Sequence, residues 1–337
     1  MNTSLQVTAS STSNTTADCI NYSEAHPDPT NSITSVAIFG TLYSLIFVFG
    51  MTGNCAVLII TTQTKKLQTA QNALISNLAL ADILVCVTVL PITPLFMINK
   101  VWYFGPTLCH IFPWLQGTTT LVTGITLATI AIDRCVAVLF IRRKFRLGYN
   151  GTWCLIATIW IICGLAILPY AVNMQIKRIP GYCGEFCSEV WPSAIVRRAF
   201  SACIFVIHFI VPFVIIAICH CILWFKLKAL TSRRQRNSST GFLIRRLTLK
   251  RRRCVALVVA VIGLYGIFWL PSNTVMLLND FTDLLITTRS IYLIYLSVNG
   301  CSMLSVIVNP ILYVWLNPRL KKVIQFKLAL RDEPADL

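Results

Sequence analysis

The chain has 337 residues, of which 56% are hydrophobic and only 12% charged, about half the charged share of an ordinary soluble domain, so it cannot cover a water-facing surface. Its net charge of +17, from 29 Lys and Arg against 12 Asp and Glu, would suit nucleic acid or an anionic surface, and the placement of the charges decides between them. Its 14 cysteines lie mostly in apolar runs without CxxC spacing, which excludes a zinc module and a small disulfide scaffold.

Residues 1–33 form a polar, Ser/Thr-rich tail with no basic n-region or apolar h-region, so no cleavable signal peptide is expected and the first helix inserts as the signal. The tail holds three N-x-S/T sequons, at Asn2, Asn14 and Asn21, which predict glycosylation if it faces the lumen.

Seven stretches then have the roughly 20 apolar residues that a membrane-spanning helix needs: 34–62, 72–97, 107–140, 152–173, 199–226, 252–278 and 288–315. Backbone groups in hydrocarbon must bond within their own segment, so these are helices, and the short alternating segments of a β-barrel are absent. The expected fold is an all-α membrane protein, a seven-transmembrane helix bundle over 34–316. In 317–337 the run LNPRLKKVIQFKLAL is apolar and basic at helical spacing, which predicts a short interfacial eighth helix ahead of a cytoplasmic tail.

Lys and Arg are retained on the cytoplasmic side. With the N-terminus outside, the inner segments hold Lys65 and Lys66, five basic residues over Arg134–Arg146, eleven over Lys226–Arg253 and five over Arg319–Arg331, leaving six outside with seven carboxylates. The positive charge is therefore an orientation signal and a contact for anionic membrane lipids, and no nucleic-acid partner is expected.

Only Asp82 is charged deep within an apolar run, and such a residue is expensive enough to indicate function. Asn54, Asp82 and Asn309 fall at similar depths in helices one, two and seven, with Thr123 and Ser305 nearby; together they would form a hydrated cavity able to hold a small cation. Pro91, Pro169, Pro212, Pro271 and Pro310 interrupt helices and free backbone carbonyls, as expected of a bundle with more than one state.

Eight strings in order, GNCAVL around Asn54, NLALAD ending at Asp82, WYFGPTLC ending at Cys109, AIDRC around Arg134, Trp160, Pro212, FWLP at Phe268–Pro271 and NPILY at Asn309–Tyr313, resemble the rhodopsin-like G-protein-coupled receptors over about 35–328. The resemblance implies a plasma-membrane receptor with a cytoplasmic C-terminus that activates a heterotrimeric G protein. It implies an Asp133–Arg134 lock whose arginine is released on activation, Trp269 as the pivot beneath the ligand, Asp82 as a sodium-linked carboxylate, and Asn309–Tyr313 as the helix-seven switch. Cys135, His220 and Tyr265 depart from the Tyr, Tyr and Phe usual at their positions in the family.

Four cysteines face outside, Cys19, Cys109, Cys183 and Cys187, and four allow three full pairings. The family links the top of helix three to the second outer loop, and CSEVWP resembles the neuropeptide Y and neuropeptide F receptors, which implies Cys109–Cys187 and leaves Cys183 for Cys19. Gln116 stands where amine receptors carry an Asp, so a bioamine is disfavoured. In the same subgroup Asp280 would anchor the arginine of a peptide ending in Arg-Tyr-amide or Arg-Phe-amide, since a carboxylate accepts a guanidinium fork bidentately. The amide end would descend toward Gln116 and Thr93, with Asn273 and Met276 on helix six and Asn299 on helix seven at pocket positions, and Glu189 adding charge at the mouth. Coupling to the inhibitory G-protein class follows from the subgroup alone. Arrestin is a further expected partner, and the Ser and Thr residues of 231–240 are expected phosphosites.

An enzyme is not expected, because HExxH, GxSxG and P-loop motifs are absent. Adjacent Cys219, His220 and Cys221 point about 100° apart on a helix, so no metal or other cofactor is expected beyond the sodium ion. A transporter would show internal repeats or several charges along a path. The alternatives within the family are receptors for tachykinin-like or somatostatin-like peptides.

Overall fold

The computed structural model describes residues 19–139, 148–237, 263–282 and 290–316, with a few positions between 320 and 325. The sequons at Asn2 and Asn14, and most of both the expected interfacial helix and the basic segment ahead of helix six, lie outside the described residues.

The rods are α1 (Ile33–Gln63), α2 (Ala70–Asn99), α3 (Gly105–Leu139), α4 (Tyr149–Val172), α5 (Ala194–Phe205 and Val211–Asn237, joined by a π turn at Val206–Ile210), α6 (residues 263–281) and α7 (Ile291–Met303 and Ser305–Leu316). Among the described residues six helices are long and apolar enough to cross a membrane, and α6 stands where the sequence predicts the sixth of seven. Among the described ends, the expected starts and ends hold to within a few residues except at α5, which begins at Ala194 rather than near 199 and runs to Asn237 rather than 226; the expected start of helix six lies outside the described residues. There the hydroxyl of Ser193 accepts from the Val196 amide at 3.3 Å, a side-chain cap that lets a polar first turn carrying Arg197 and Arg198 rise out of the apolar run.

Apolar residues face outward around the bundle, with Ile161, Leu165 and Ile311 each 63% exposed, while Asn54, Asn77, Asp82 and Asn309 are buried. Water would favour the reverse order; lipid tails favour this one, because polar groups can bond only inside. The α2 helix is the hub, with 72% of its most apolar window buried against 28% for α1. Asn77 on α2 donates to the Thr126 hydroxyl of α3 at 2.9 Å and accepts from Trp160 Nε1 of α4 at 2.7 Å. Asn54 on α1 donates to the Val306 carbonyl of α7 at 2.9 Å. The two helices approach so closely there that a Cβ on Gly50 would stand 2.7 Å from Val306 Cγ1.

Two elements cap one end of the bundle. A hairpin follows α4, its strands β1 (Met174–Lys177) and β2 (Phe186–Glu189) antiparallel with Met174 opposite Glu189 and Ile176 opposite Cys187. Beside it runs the tail segment 19–32, with one helical turn at Tyr22–Ala25.

Candidate ligand-binding site

Two disulfides hold the capped end. Cys109–Cys187 ties β2 to the start of α3, and Cys19–Cys183 ties the tail to the hairpin loop. Backbone bonds continue the second tie, from the Ile20 amide to Gly181 O at 3.0 Å and from the Cys183 amide to Ile20 O at 3.1 Å. Tyr22 packs its ring on Tyr182 at 5.2 Å and Phe186 at 5.3 Å. On the other flank Asn31 donates to the Ile98 carbonyl at 3.0 Å. The ammonium of Lys100 donates to Asn31 Oδ1 and to the His26 carbonyl, and lies 5.3 Å from the Tyr292 ring centre. Burial pushes the Lys100 ammonium below the ordinary lysine range, with the charge of Asp28 opposing the shift. The tail is thus a strap stapled to both the hairpin and the end of α2. Asn21, the one tail sequon that is described, is exposed and donates to Glu24 at 2.9 Å.

The acidic residues expected at the mouth come together. Glu189, at the end of β2, and Asp280, on the last turn of α6, share Arg197 of α5: its Nη2 lies 2.6 Å from Glu189 Oε1 and 2.7 Å from Asp280 Oδ1. Asp280 also accepts from the Ser201 hydroxyl and from Asn279 Nδ2 at 3.2 Å, and Glu189 accepts from Trp191 Nε1 at 2.8 Å. The Asp280 side chain is only 6% exposed, so the carboxylate that the sequence places as a free anchor is fully engaged within the chain. Glu185 pairs instead with Arg178 at 2.7 Å.

Deeper in the bundle, Trp269 and Asn273 of α6 meet His208 of α5. The His208 and Trp269 rings cross edge to face at 4.8 Å, His208 Nδ1 lies 3.3 Å from Asn273 Oδ1, and Asn273 donates to the Trp269 carbonyl at 2.7 Å. Met276 and Gln116 are half-buried and Thr93 is buried. Asn299 accepts from the Tyr43 hydroxyl at 3.0 Å, which turns it toward α1. Thr93 Oγ1, Thr118 Oγ1 and His208 Nε2 are buried with no hydrogen-bond partner among the described residues, an uncommon condition for buried polar atoms.

At mid-depth Asn309 donates to Asp82 Oδ2 at 2.9 Å, joining two of the expected polar residues. A cavity of about 90 Å³ is lined by Thr123, Ser305, Asn309, Arg134, Tyr313 and Trp269, among others, room for several waters. Asp82 and Asn54 are not among its lining residues. Tyr313 is buried with its hydroxyl unpaired among the described residues, and Asn54 Oδ1 is in the same condition. Asp133 and Arg134 stand at the end of α3 away from the disulfides, both half-buried.

Sequence reasoning did not single out Arg197 or Ser201 as partners of Asp280, nor His208 as part of the pocket floor. No spacing rule joins residues on different helices, and a histidine inside the apolar run VIHFIVP reads as packing. An unexplained basic pair at a helix start facing an acidic mouth was the one available signal for Arg197.

A family model described as 7 transmembrane receptor (rhodopsin family) matches residues 53–313. Similar proteins include the neuropeptide receptor npr-1 of Caenorhabditis elegans, 31% identical over 91% of this chain and 76% of its own length. Neuropeptide receptor 3 of the same organism is 29% identical, covering 88% of this chain and 80% of its own. Neuropeptide Y receptor type 2 of Homo sapiens is 28% identical, covering 91% and 79%.

Proposed function

The chain belongs to the rhodopsin family of seven-transmembrane receptors, and from that premise we propose that it is a receptor for an amidated neuropeptide of the Arg-Tyr-amide or Arg-Phe-amide type. As a member of a receptor family it is not an enzyme. The observation that carries the ligand class is the affinity of the Asp280 carboxylate for a guanidinium, seen in its contact with Arg197 Nη2 at 2.7 Å, which Glu189 shares. The names of the similar receptors support a neuropeptide as the messenger.

The tail and the disulfide-bearing mouth face outside, where disulfides persist, and Asn2, Asn14 and Asn21 are the sites of glycosylation. The peptide's arginine engages Asp280, with Glu189 close by, and its amide end descends toward Gln116, Thr93, Asn273, Met276 and Asn299. Contact with Trp269 then biases α6 between two positions, by no more than the difference in the peptide's affinity for them. At the cytoplasmic end the Asp133–Arg134 pair opens and Arg134 meets a G protein of the inhibitory class, with Tyr313 repacking beside it. The basic segment rests on anionic lipid, and arrestin ends signalling.

The residues that would hold a sodium ion, Asp82, Asn54, Ser305 and Thr123, each offer an oxygen, and Asn54 Oδ1 is unpaired among the described residues; oxygen donors suit a hard monovalent cation rather than a transition metal. A sodium ion held there would supply one positive charge against the Asp82 carboxylate, and Asn309 orients that carboxylate.

Cells expressing the receptor would be challenged with a panel of amidated peptides while cyclic AMP and calcium are recorded. Asp280→Ala should lose most potency toward Arg-containing peptides and little toward analogues with a neutral residue in place of Arg; equal loss for both removes the anchor.

A further inference from the structure

The position on Asp280 that a ligand arginine would need is held by an arginine of the chain itself. Arg197 makes that contact in an inferior way. One nitrogen, Nη2, serves both Glu189 and Asp280, whereas a guanidinium pairs best through two parallel N–H donors to one carboxylate. Its Nε is buried with no hydrogen-bond partner among the described residues, which carries a desolvation cost. The residue also stands in the first turn of α5, just after its Ser193 cap, where the helix dipole disfavours a cation. The next residue, Arg198, donates through Nε to the Asp280 carbonyl at 3.0 Å. Glu189, Asp280, Arg197 and Arg198 therefore sum to zero charge, and an arriving cation gains no net attraction from the cluster until one of the arginines moves.

We propose that Arg197 is a built-in competitor for Asp280, displaced onto Glu189 alone when a peptide's guanidinium offers Asp280 a two-pronged contact, and that it thereby sets selectivity for arginine over lysine or a neutral residue. A lysine ammonium presents a point charge without a planar fork and offers Asp280 no better geometry than Arg197 already does. The inference rests on the reading of Asp280 as the ligand's arginine anchor. Removal of Arg197 leaves the cluster with a net negative charge and Asp280 accessible, so a ligand arginine binds without displacing anything.

The test measures equilibrium binding to the full-length receptor in membranes. The probes are three synthetic peptides ending in Phe-amide, differing only by Arg, Lys or the neutral isostere citrulline at the penultimate residue. Arg197→Gln should raise affinity for the Arg peptide by roughly tenfold, the worth of one charge-assisted hydrogen bond. It should raise affinity for the Lys peptide by a larger factor, narrowing the Arg/Lys ratio, and leave the citrulline peptide unchanged. Arg197→Met, which keeps most of the aliphatic stem, should act the same way and serves if the Gln variant does not reach the cell surface. If Arg197 variants leave the Arg peptide unchanged or weaken all three peptides together, while Asp280→Asn still weakens only the charged ones, the competitor role is overturned and the anchor stands. If wild type binds the Arg and citrulline peptides equally, or binds none of the three, the anchor reading fails and this inference falls with it.

Discussion

The Tyr265 hydroxyl of α6 donates to the backbone carbonyl of His208 in α5. Pro212, four residues on, has no N–H to return to that carbonyl, and the π turn at Val206–Ile210 opens the helix at the same point. A residue that departs from the family's usual one thus satisfies the group that the proline releases. Room for it comes from Gly124 of α3, where a Cβ would stand 3.0 Å from Tyr265 Oη and 3.1 Å from His208 O.

Tyr265→Phe should leave the His208 carbonyl buried and unpaired, at a cost of about 1–3 kcal/mol. The expected outcome is a lower melting temperature of the purified receptor and higher ligand-independent signalling, because a tie between α5 and α6 is gone. Gly124→Ile should crowd the same hydroxyl and shift both readouts in the same direction. A Tyr265→Phe receptor with unchanged melting and basal output would show that the bond carries no weight.

The tail strap should depend on its staple. Cys19→Ser and Cys183→Ser remove one bond from opposite ends, so the two single variants and the double variant should lose the same amount of peptide affinity, about tenfold or less. Additive losses would mean that the two residues act separately. Cys109→Ser, which frees β2 from α3, should be more damaging and is checked by surface expression alongside binding.

Asp82→Asn tests the cation. Any ion that binds the folded receptor stabilises it by mass action, so sodium chloride should raise the melting temperature of the wild type relative to choline chloride at equal ionic strength. The variant should show no difference between the two salts. A sodium effect of full size in Asp82→Asn would place the ion elsewhere.

The bond from Trp160 to Asn77, 2.7 Å, is one arm of the α2–α3–α4 junction. Trp160→Phe keeps the packing ring and removes the donor, and should cost about 0.5–2 kcal/mol, the range found for interhelical bonds in membranes. Asn77→Ala severs both arms and should cost more. Thermal unfolding of the two variants in one detergent gives the ranking.

The seven rods were legible because hydrocarbon imposes a length and forbids unpaired backbone, which leaves a mark in any sequence. The pairing of Cys109 with Cys187 and of Cys19 with Cys183 was reachable through the motif strings and by what remained. The start of α5 was misplaced because its first turn, AIVRR, is polar on one side and belongs to the water layer. The break in α7 at Leu304 has no Pro or Gly at that residue to announce it. The engagement of Asp280 by Arg197 and Ser201 depends on how two distant helices lean together, and helical periodicity carries no such information.

The strap also has a topological consequence. Because residue 19 is bonded to the hairpin and residue 33 enters α1, a protease that nicks the segment between them would release nothing: the upstream fragment stays bolted on at Cys183 and the downstream one stays rooted in the membrane. Only a reductant acting after the cut would free the upstream piece. A cut upstream of Cys19 would remove the sequons at Asn2 and Asn14 and leave that at Asn21, and the entrance wall, in place.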